Sequence, residues 1–304
     1  MRKDITKKFL GKENRYLGKM LSKEIVSFIA RKKINRVKKQ IGYDEIEFRN
    51  VFSTNFTNLN TKNLVKSGYK IKEVVSKDGK RIEFNMIYCA SDKTHSDFLL
   101  GETEVTQELY ELVMGYNPSY YKGIKDSSKR PVECISWYDA VLFCNKLSEL
   151  QDKNPYYEIW GITYENKTQT NIKEANVEIN KGANGFRLPS EQEWEYAAKA
   201  GTNNKWSGTN DKSKVGEYAW FLKNSDNETH PVATKKPNEW GFYDMSGSVW
   251  ELCFNEYLMH DRVYYINRGG CWSNHESDLH SAIRIYNLPE SRGSGHGFRV
   301  SASL

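Results

Sequence analysis

The last hundred residues carry almost no helical periodicity, and this most limits what the chain can fold into. From Asn203 to Leu304 the sequence is dominated by Gly, Asn, Ser and aromatic residues. Without a repeating apolar stripe, such a segment forms loops and short strands, and its Trp and Tyr side chains supply the core contacts. The whole chain is 38% hydrophobic and 13% aromatic, enough to bury a sizeable core. We therefore expect a folded α+β protein with much irregular backbone.

Upstream of this tail, local signals predict one strand and three helices. Apolar and polar residues alternate in the strand, and the helices combine an inward apolar face with a capping residue. The predictions are a strand over Arg81–Tyr88, a helix over Thr103–Met114 capped by Thr103, a helix over Trp137–Leu150 after Ser136, and a short helix after Ser190 with Glu193 completing a capping box.

Charge divides the chain into two unlike parts. Residues 1–80 hold 21 Lys and Arg against 8 Asp and Glu, a balance of +13, whereas the remainder carries −7. Within the basic part, Met20–Ile41 predicts an amphipathic helix, and Asn50–Asn63 has the composition of a linker. This basic helix could face nucleic acid or an anionic membrane, or it could dock on its own domain with a solvated lysine face. We place the boundary of this N-terminal extension near residue 80, with a second domain over 81–304.

Neither a transmembrane segment nor an export signal is predicted. No run approaches the roughly 20 apolar residues of a membrane span, and the first thirty residues lack the apolar block of a secretory signal. Read as it stands, the chain would be cytoplasmic. Its five cysteines, scattered without a CxxC pair, favour reduced and mostly buried thiols over disulfides or a zinc site.

Five sequence motifs, or phrases, in residues 81–304 are far more specific than secondary-structure propensity. They occur in a fixed order: Gly101–Thr106 (GETEVT), Pro131–Trp137 (PVECISW), Gly185–Ala197 (GFRLPSEQEWEYA), Gly241–Glu251 (GFYDMSGSVWE), and Arg268–Trp272 (RGGCW) with Gly297–Val300 (GFRV). Together they resemble the formylglycine-generating-enzyme, or sulfatase-modifying factor, family. The resemblance covers residues 81–304 and implies a C-type-lectin-like fold of the formylglycine-generating type, with short strands and few helices. It implies nothing about residues 1–80.

The family's oxidase chemistry requires cysteines that this chain lacks at the matching place. In the enzymes of the family, copper-assisted oxidation of a substrate cysteine depends on two cysteines just after the Arg-Gly-Gly-x-Trp phrase. The matching stretch here, Ser273–Ala282, contains none, and Cys271 lies too early to replace either. Without those thiolates, which serve as nucleophile and soft metal ligand, we expect no enzyme and no cofactor.

A second branch with the same framework is more similar: the variable proteins of diversity-generating retroelements, of the Treponema variable protein type. In that branch, mutagenic reverse transcription of template adenines rewrites the C-terminal segment, which corresponds here to residues 268–300. Twelve residues fit the fixed framework: Arg268, Gly269, Gly270, Trp272, Ser281, Ala282, Arg284, Pro289, Arg292, Gly297, Phe298 and Arg299. Fourteen fall on variable, ligand-binding positions: Ser273, Asn274, His275, Ser277, Asp278, Ile283, Ile285, Tyr286, Asn287, Leu288, Ser291, Gly293, Ser294 and Gly295.

The residue types at these fourteen positions agree with adenine mutagenesis. Asparagine codons changed only at their adenines cannot become Lys, Glu, Gln, Met or Trp, which make up 77 of the 304 residues. None of the five occurs at any of the fourteen positions, an outcome with a chance of roughly 2% if residues were drawn from the chain's composition. Turns favour Ser, Gly and Asn, so loop composition also contributes to the pattern.

The resemblance implies recognition rather than catalysis, with fixed scaffold residues separated from exchangeable contact residues. Trp272 and Phe298 are expected to be core anchors, and Tyr286 the strongest contact because tyrosine brings area with little rotamer entropy. Ile283 and Ile285 could instead point inward from a strand. The predicted function is a non-catalytic, receptor-like ligand-binding protein at the cell surface, whose partner is an unidentified protein or glycan. Two alternatives stay open, a cysteine oxidoreductase and a nucleic-acid-binding adaptor.

No metal site is predicted. His275, Asp278 and His280 lie in a stretch of irregular backbone without a fixed ligand spacing. Asp244 and Glu251 match a phrase that often contributes to calcium binding in the family, but Ser248 replaces the usual asparagine. We expect both carboxylates to serve in structural hydrogen bonds.

Overall fold

The computed structural model describes residues 67–93, 95–180 and 182–304. The basic helix predicted over residues 20–41 and the linker over 50–63 lie outside these residues. Mixed helix and sheet make up the described part, as the sequence predicts.

Antiparallel pairing builds the largest sheet, whose strands are β1 (Tyr69–Lys77), β2 (Lys80–Cys89), β3 (Phe98–Gly101), β6 (Phe186–Arg187) and β11 (Ser301–Ser303). Their order in the sheet is β1-β2-β3-β11-β6, so the C-terminal strand β11 lies between β3 and β6 and pairs with both. The β1–β2 hairpin pairs along its whole length, from Tyr69 opposite Tyr88 to Lys77 opposite Lys80.

The domain boundary expected at residue 80 falls at the turn of this hairpin. Residues 69–77 belong to the same sheet as the strands that follow, and residues 67–303 fall in one compact unit. The basic side chains of β1 lie on its surface, where Lys72 pairs with Glu83 at 2.9 Å. The lysines of β1 therefore belong to a solvated strand face. The charge balance of residues 1–80 alone cannot distinguish such a strand from a basic extension.

The second sheet carries the C-terminal segment. It consists of β7 (Trp250–Met259), β8 (Arg262–Arg268), β9 (Arg284–Asn287) and β10 (His296–Gly297) in the order β10-β7-β8-β9, with β10 parallel to β7. A separate hairpin is formed by β4 (Tyr157–Tyr164) and β5 (Ile172–Ile179). The strands of the β7–β8 hairpin are longer than the short strands expected for this part of the sequence, although their register shifts between Leu252 and Glu256.

Four α-helices occur among the described residues: α1 (Gln107–Met114), α2 (Trp137–Leu150), α3 (Glu191–Lys199) and α4 (Val215–Tyr218). The predictions for α2 and α3 are confirmed, including the capping box of Ser190 with Glu193. The structure also shows a capping box at the start of α2, formed by Ser136 with Asp139. Helix α1 begins later than predicted, because Thr106 rather than Thr103 caps it. The backbone of Val105 is already engaged elsewhere, with its N–H donating to Phe298 O and its carbonyl accepting from Val132.

Three apolar clusters fill the interior of the described part, the smallest of which includes Trp206 and Leu279. The largest packs α1 and α2 against the first sheet and includes Phe143 and Phe298, and the second surrounds Trp194 of α3. All five cysteines are free in this structure, four of them buried and Cys134 partly exposed. None of the helices in the described part has the length and apolar character needed to span a bilayer.

Candidate ligand-binding surface

Burial differs between the fourteen predicted variable positions and part of the predicted framework in the segment 268–300. None of the fourteen variable positions is buried; each is exposed or half-buried. Seven of the twelve framework residues are buried: Arg268, Gly269, Gly270, Ser281, Gly297, Phe298 and Arg299. We refer to the fourteen positions together as the variable surface. Trp272 differs from the expected core anchor, since it is only half-buried and acts through hydrogen bonds instead.

Arg268 ties the middle of the segment to α3. Its buried guanidinium pairs with Glu191 at 3.0 Å and with Glu195 at 2.5 Å, and it also donates to the carbonyls of Ser281 at 2.7 Å and Ala282 at 3.2 Å. A charge-assisted network of this kind gives its members fixed positions. The carbonyls of Ser281 and Ala282 are therefore held in place by a framework side chain.

Arg299 fixes the end of the segment in the same way. Its guanidinium forms a bidentate pair with Glu251, at 2.5 and 2.6 Å, and donates to the carbonyl of Gly101 at 2.9 Å. Trp194 Nε1 donates to the same Glu251 carboxylate at 2.7 Å. Glu251 thus has a structural hydrogen-bonding role, joining β7, α3 and the C-terminal strands.

Two tryptophans hold the loop carbonyls of the variable surface. Trp272 Nε1 donates to Ser294 O at 3.0 Å, and Trp206 Nε1 donates to Glu276 O at 2.7 Å. The first bond brings the stretch after Trp272 next to residues 291–295, although about twenty residues separate them in sequence. The two loops therefore form one continuous surface.

Backbone bonds complete the support of the second loop. Three backbone N–H groups donate to carbonyls of this loop, at 2.7 to 3.0 Å. The bonds run from Cys134 to Gly293 O, from Trp137 to Pro289 O, and from Trp250 to Gly295 O. Arg292 reaches inward, pairs with Asp139 of α2 and donates to Ile172 O at 2.9 Å. Because these partners are backbone atoms and framework side chains, the path of the loop depends little on the variable side chains.

Glycine is required where the segment enters and leaves the core. Gly270 has φ of +79°, and a Cβ there would lie 2.4 Å from Leu279 Cδ2. A Cβ on Gly297 would lie 2.6 Å from Val132 O. Both distances are far inside van der Waals contact, so a larger residue would displace neighbouring backbone or core atoms.

The variable side chains make few contacts with the scaffold. Asn274 is an exception, because its Oδ1 accepts a hydrogen bond from the Cys271 N–H at 2.9 Å. Tyr286 lies on β9 and contacts Tyr257 of β7, with ring centroids 4.7 Å apart. Ile283 is exposed and Ile285 half-buried, so neither belongs to the buried core. Sequence reasoning missed Tyr257, which belongs to none of the five phrases.

The histidines and acids of the segment do not converge. His280 packs against the Trp206 ring with centroids 4.7 Å apart, while the Asp278 carboxylate accepts from the neighbouring Ser277 hydroxyl. Across residues 67–93, 95–180 and 182–304, no three His, Cys, Asp or Glu side chains are arranged to hold a metal ion.

Buried carboxyl groups lie beneath the surface, around Arg299. Asp244 accepts from the Ala233 N–H at 2.8 Å through one oxygen, whereas its other oxygen and both oxygens of Glu104 have no hydrogen-bond partner. Burial, reinforced by the charge of Asp244, raises the pKa of Glu104 well above its ordinary value. Burial also raises the pKa of Asp244 to about 6. Glu104 is therefore expected to keep its proton to a higher pH in the folded protein than in the unfolded chain.

The thiols offer no counterpart to the oxidase cysteines. Cys271 is buried, with Sγ 3.3 Å from Ser273 Oγ, and burial raises the pKa of its thiol. Burial and the adjacent Glu133 raise the pKa of the partly exposed Cys134 thiol to about 12. Both groups are thus poorly suited to form the thiolate that such chemistry needs.

Comparisons with known proteins agree with this architecture. A protein called Chaperone protein LppX, from Paenibacillus barcinonensis, is 39% identical over 208 residues, which cover 61% of this chain and 72% of the relative. The formylglycine-generating enzyme of Mus musculus is 25% identical over 209 residues, 58% of this chain and 45% of the mouse protein.

Among solved structures, Treponema denticola variable protein 1 superposes with a TM-score of 0.66 at 32% identity. The superposition covers 77% of this chain and 99% of the Treponema protein. It confirms both the lectin-like fold of the formylglycine-generating type and the resemblance to the variable-protein branch.

The family match extends over nearly all the residues described above. The profile of the sulfatase-modifying factor enzyme 1-like domain matches residues 53–304, beginning before the hairpin of β1 and β2. The chain therefore belongs to the sulfatase-modifying factor enzyme 1-like family.

Proposed function

We propose that this protein is a non-catalytic ligand-binding protein whose C-terminal segment is diversified by a retroelement. The observation that supports this proposal most is the burial pattern of residues 268–300, in which seven of the twelve framework residues are buried and none of the fourteen variable positions is. Surface substitutions usually change stability by about 0.5 kcal/mol or less, whereas large-to-small changes in a core cost about 2–5 kcal/mol. A segment built in this way can change its contacts without losing its fold.

The chemistry of the surface supports recognition of a ligand. Serine, asparagine, histidine and aspartate at the variable positions provide adjustable hydrogen bonds, and Tyr286 supplies a large amphipathic side chain. The Treponema neighbour is itself named a variable protein. The name of the Paenibacillus relative, a chaperone protein, likewise describes action on another protein. We propose a location at the cell surface, where such a binder meets its ligand.

The genome provides the decisive test. If the proposal holds, the DNA near the gene contains a near-copy of the codons for residues 268–300 that differs from them only at adenines, beside a reverse-transcriptase gene. The copy should carry asparagine codons at most of the fourteen positions. Differences spread over all four bases, or a locus with neither copy nor reverse transcriptase, would overturn the assignment.

The oxidoreductase alternative is tested with purified protein. The chain is incubated with Cu(I), oxygen and a sulfatase-derived peptide that contains the substrate cysteine, and the peptide is followed by mass spectrometry. We expect its mass to stay unchanged, because no thiol occupies the stretch 273–282. Conversion of the peptide cysteine to formylglycine would instead establish an enzyme.

The adaptor alternative concerns the basic extension. Binding of a mixed-sequence DNA duplex to the full chain is measured between 50 and 300 mM salt, and again after deletion of residues 1–45. Steeply salt-dependent affinity that disappears with the deletion would support nucleic-acid binding. We expect no specific binding by either protein.

A further inference from the structure

An exposed tyrosine lies beside the variable surface, outside the segment 268–300. Tyr120 is in a turn that follows α1, and it is 73% exposed, the largest value for a large apolar or aromatic side chain among the described residues. A ring that is exposed to this extent adds little to the stability of the fold. Its surface is therefore available to a ligand.

A row of aromatic rings connects Tyr120 with the variable surface. The ring of Tyr120 contacts the ring of Tyr121 edge-on, with centroids 5.0 Å apart, and Tyr121 contacts Trp272 edge-on at 5.7 Å. Trp272 immediately precedes the first variable loop, and its indole donates to Ser294 O in the second. The Tyr121 hydroxyl donates to Asn227 O at 2.7 Å, which holds the middle ring of the row. The row thus ends where the two variable loops meet.

A buried carboxylate holds the backbone of both tyrosines. Glu133 is fully buried, and its two oxygens accept hydrogen bonds from the N–H groups of Tyr120 at 2.9 Å and Tyr121 at 2.8 Å. Hydrogen bonds from backbone N–H groups to a carboxylate are charge-assisted and give the donors fixed positions. The next residue, Cys134, donates its N–H to Gly293 O at 3.0 Å, in the second variable loop. One short segment therefore positions the tyrosine turn and supports the variable surface.

We infer that Tyr120 is a constant contact residue of the ligand-binding surface, placed by Glu133 beside the variable loops, for ligands large enough to span both loops. This inference rests on the proposed ligand-binding function. Standard interfaces between proteins cover about 800 Å² on each partner, so a ligand of that size seated on both loops extends over the neighbouring row of rings. Tyrosine brings a large contact area and a hydroxyl with only two rotatable bonds, and it is frequent among the anchors of binding surfaces. Because Tyr120 lies outside residues 268–300, it stays the same while the variable residues change.

The test uses the full chain, displayed on yeast with its fourteen variable positions randomised, and hen egg lysozyme as the probe for selection. In unrelated lysozyme-binding clones, Tyr120→Ser is introduced and the dissociation constant for lysozyme is measured. We expect binding to weaken at least fivefold in most clones, because the contact area of the ring is lost. The thermal midpoint should stay unchanged, since the ring is exposed. Clones that keep their affinity would overturn the inference while leaving the proposed function intact.

Tyr69→Ser is the matched control, because Tyr69 is also exposed, at 48%, and lies on β1 of the first sheet. It should leave lysozyme binding unchanged. Equal losses for Tyr69→Ser and Tyr120→Ser would show a general effect of removing a surface ring and would overturn the inference. If the randomised library contains no lysozyme binder, the proposed function fails and the inference with it.

The positioning role of Glu133 is tested by coupling. Glu133→Gln replaces one acceptor oxygen with an NH₂ group, so one of the two tyrosine N–H groups loses its partner. This change should weaken lysozyme binding in clones that retain Tyr120, and it should have no further effect in clones that carry Tyr120→Ser. Losses of the same size in both backgrounds would show that Glu133 acts on the variable loops rather than through Tyr120, which would overturn its assigned role.

Discussion

The guanidinium of Arg268 donates a 2.7 Å hydrogen bond to the backbone carbonyl of Ser281, thirteen residues further along the chain. Between these two residues lie five of the fourteen variable positions. A fully buried side chain thus ties the start of the segment to the residue that follows its first five variable positions. Buried framework groups therefore hold both ends of this loop.

Replacement of Arg268 by methionine should destabilise the protein by about 3–5 kcal/mol. The change leaves the carboxylates of Glu191 and Glu195 without their buried partner, and breaking such a pair is expensive. Arg284→Met is the matched control, since Arg284 also pairs with Glu191, at 2.9 Å, but its side chain is 42% exposed. It should cost less than about 1 kcal/mol. Urea denaturation measures both variants, and equal losses would contradict the role assigned to burial.

Substitutions on the variable surface should barely change stability, even when they are drastic in size. Ser277→Tyr and Tyr286→Ser should each shift the free energy of unfolding by less than about 1 kcal/mol, because neither side chain is buried. In contrast, Phe298→Ala should cost about 3–5 kcal/mol, since that ring is fully buried against Phe143 and Tyr110. Denaturation midpoints give the comparison. A loss above 2 kcal/mol at Ser277 or Tyr286 would count against the separation of scaffold and contact residues.

Removing one indole donor should loosen one loop and leave the other unchanged. Trp272→Phe deletes the bond to Ser294 O and should increase hydrogen exchange in residues 291–295, at a cost of about 1 kcal/mol. Trp206→Phe deletes the bond to Glu276 O and should affect residues 275–279 instead. Exchange followed by mass spectrometry distinguishes the two regions. The same exchange pattern in both variants would show that the indoles do not act locally.

Stability should depend on pH through the buried carboxyl groups near Arg299. A carboxyl whose pKa is raised in the folded state keeps its proton while the unfolded chain releases it, so its contribution to stability falls as pH rises above the unfolded value. For Glu104 that fall starts near its ordinary pKa of 4.5, and for Asp244 it runs from about 3.8 to about 6.

Glu104→Gln should therefore gain stability relative to the parent protein as pH rises from 4 to 8, because an amide has no proton to lose. Asp244→Asn should gain in the same direction, mostly below about pH 6. Glu251→Gln is the contrasting variant and should lose stability, since it removes the charge paired with Arg299. Urea titrations at pH 4, 6 and 8 measure all three. A constant difference between Glu104→Gln and the parent protein would refute the proposed protonation.

Signals between residues close in sequence sufficed to predict the helices that begin at such a signal. Helices α2 and α3 begin where serine and a matching acid form a capping box, and both residues of each box lie within four positions. The start of α1 could not be found in this way. Thr103 is a good capping residue in sequence, but the neighbouring Val105 is held by Phe298, which lies nearly two hundred residues away.

The candidate surface was predicted in a different way. Its framework phrases were matched as ordered motifs, and the variable positions were assigned from the residues between them; their role in binding stays a prediction. The contact between Tyr257 and Tyr286 could not be predicted in this way. It follows from the register of β7 with β8 and of β8 with β9, and Tyr257 lies in none of the five phrases. A similar limit applies to β1, whose lysines have the composition of a basic extension although they lie on a strand.

The two ends of the variable segment are held by Gly270 and Gly297, where no larger side chain fits. Between these two glycines the backbone path is held by framework residues, while the side chains at the variable positions can differ. If the proposed diversification holds, variants would differ in the chemistry of this surface while the path of its backbone stays the same. Their ligands would then share a contour, so one shape-matched inhibitor is expected to be a starting point against all of them.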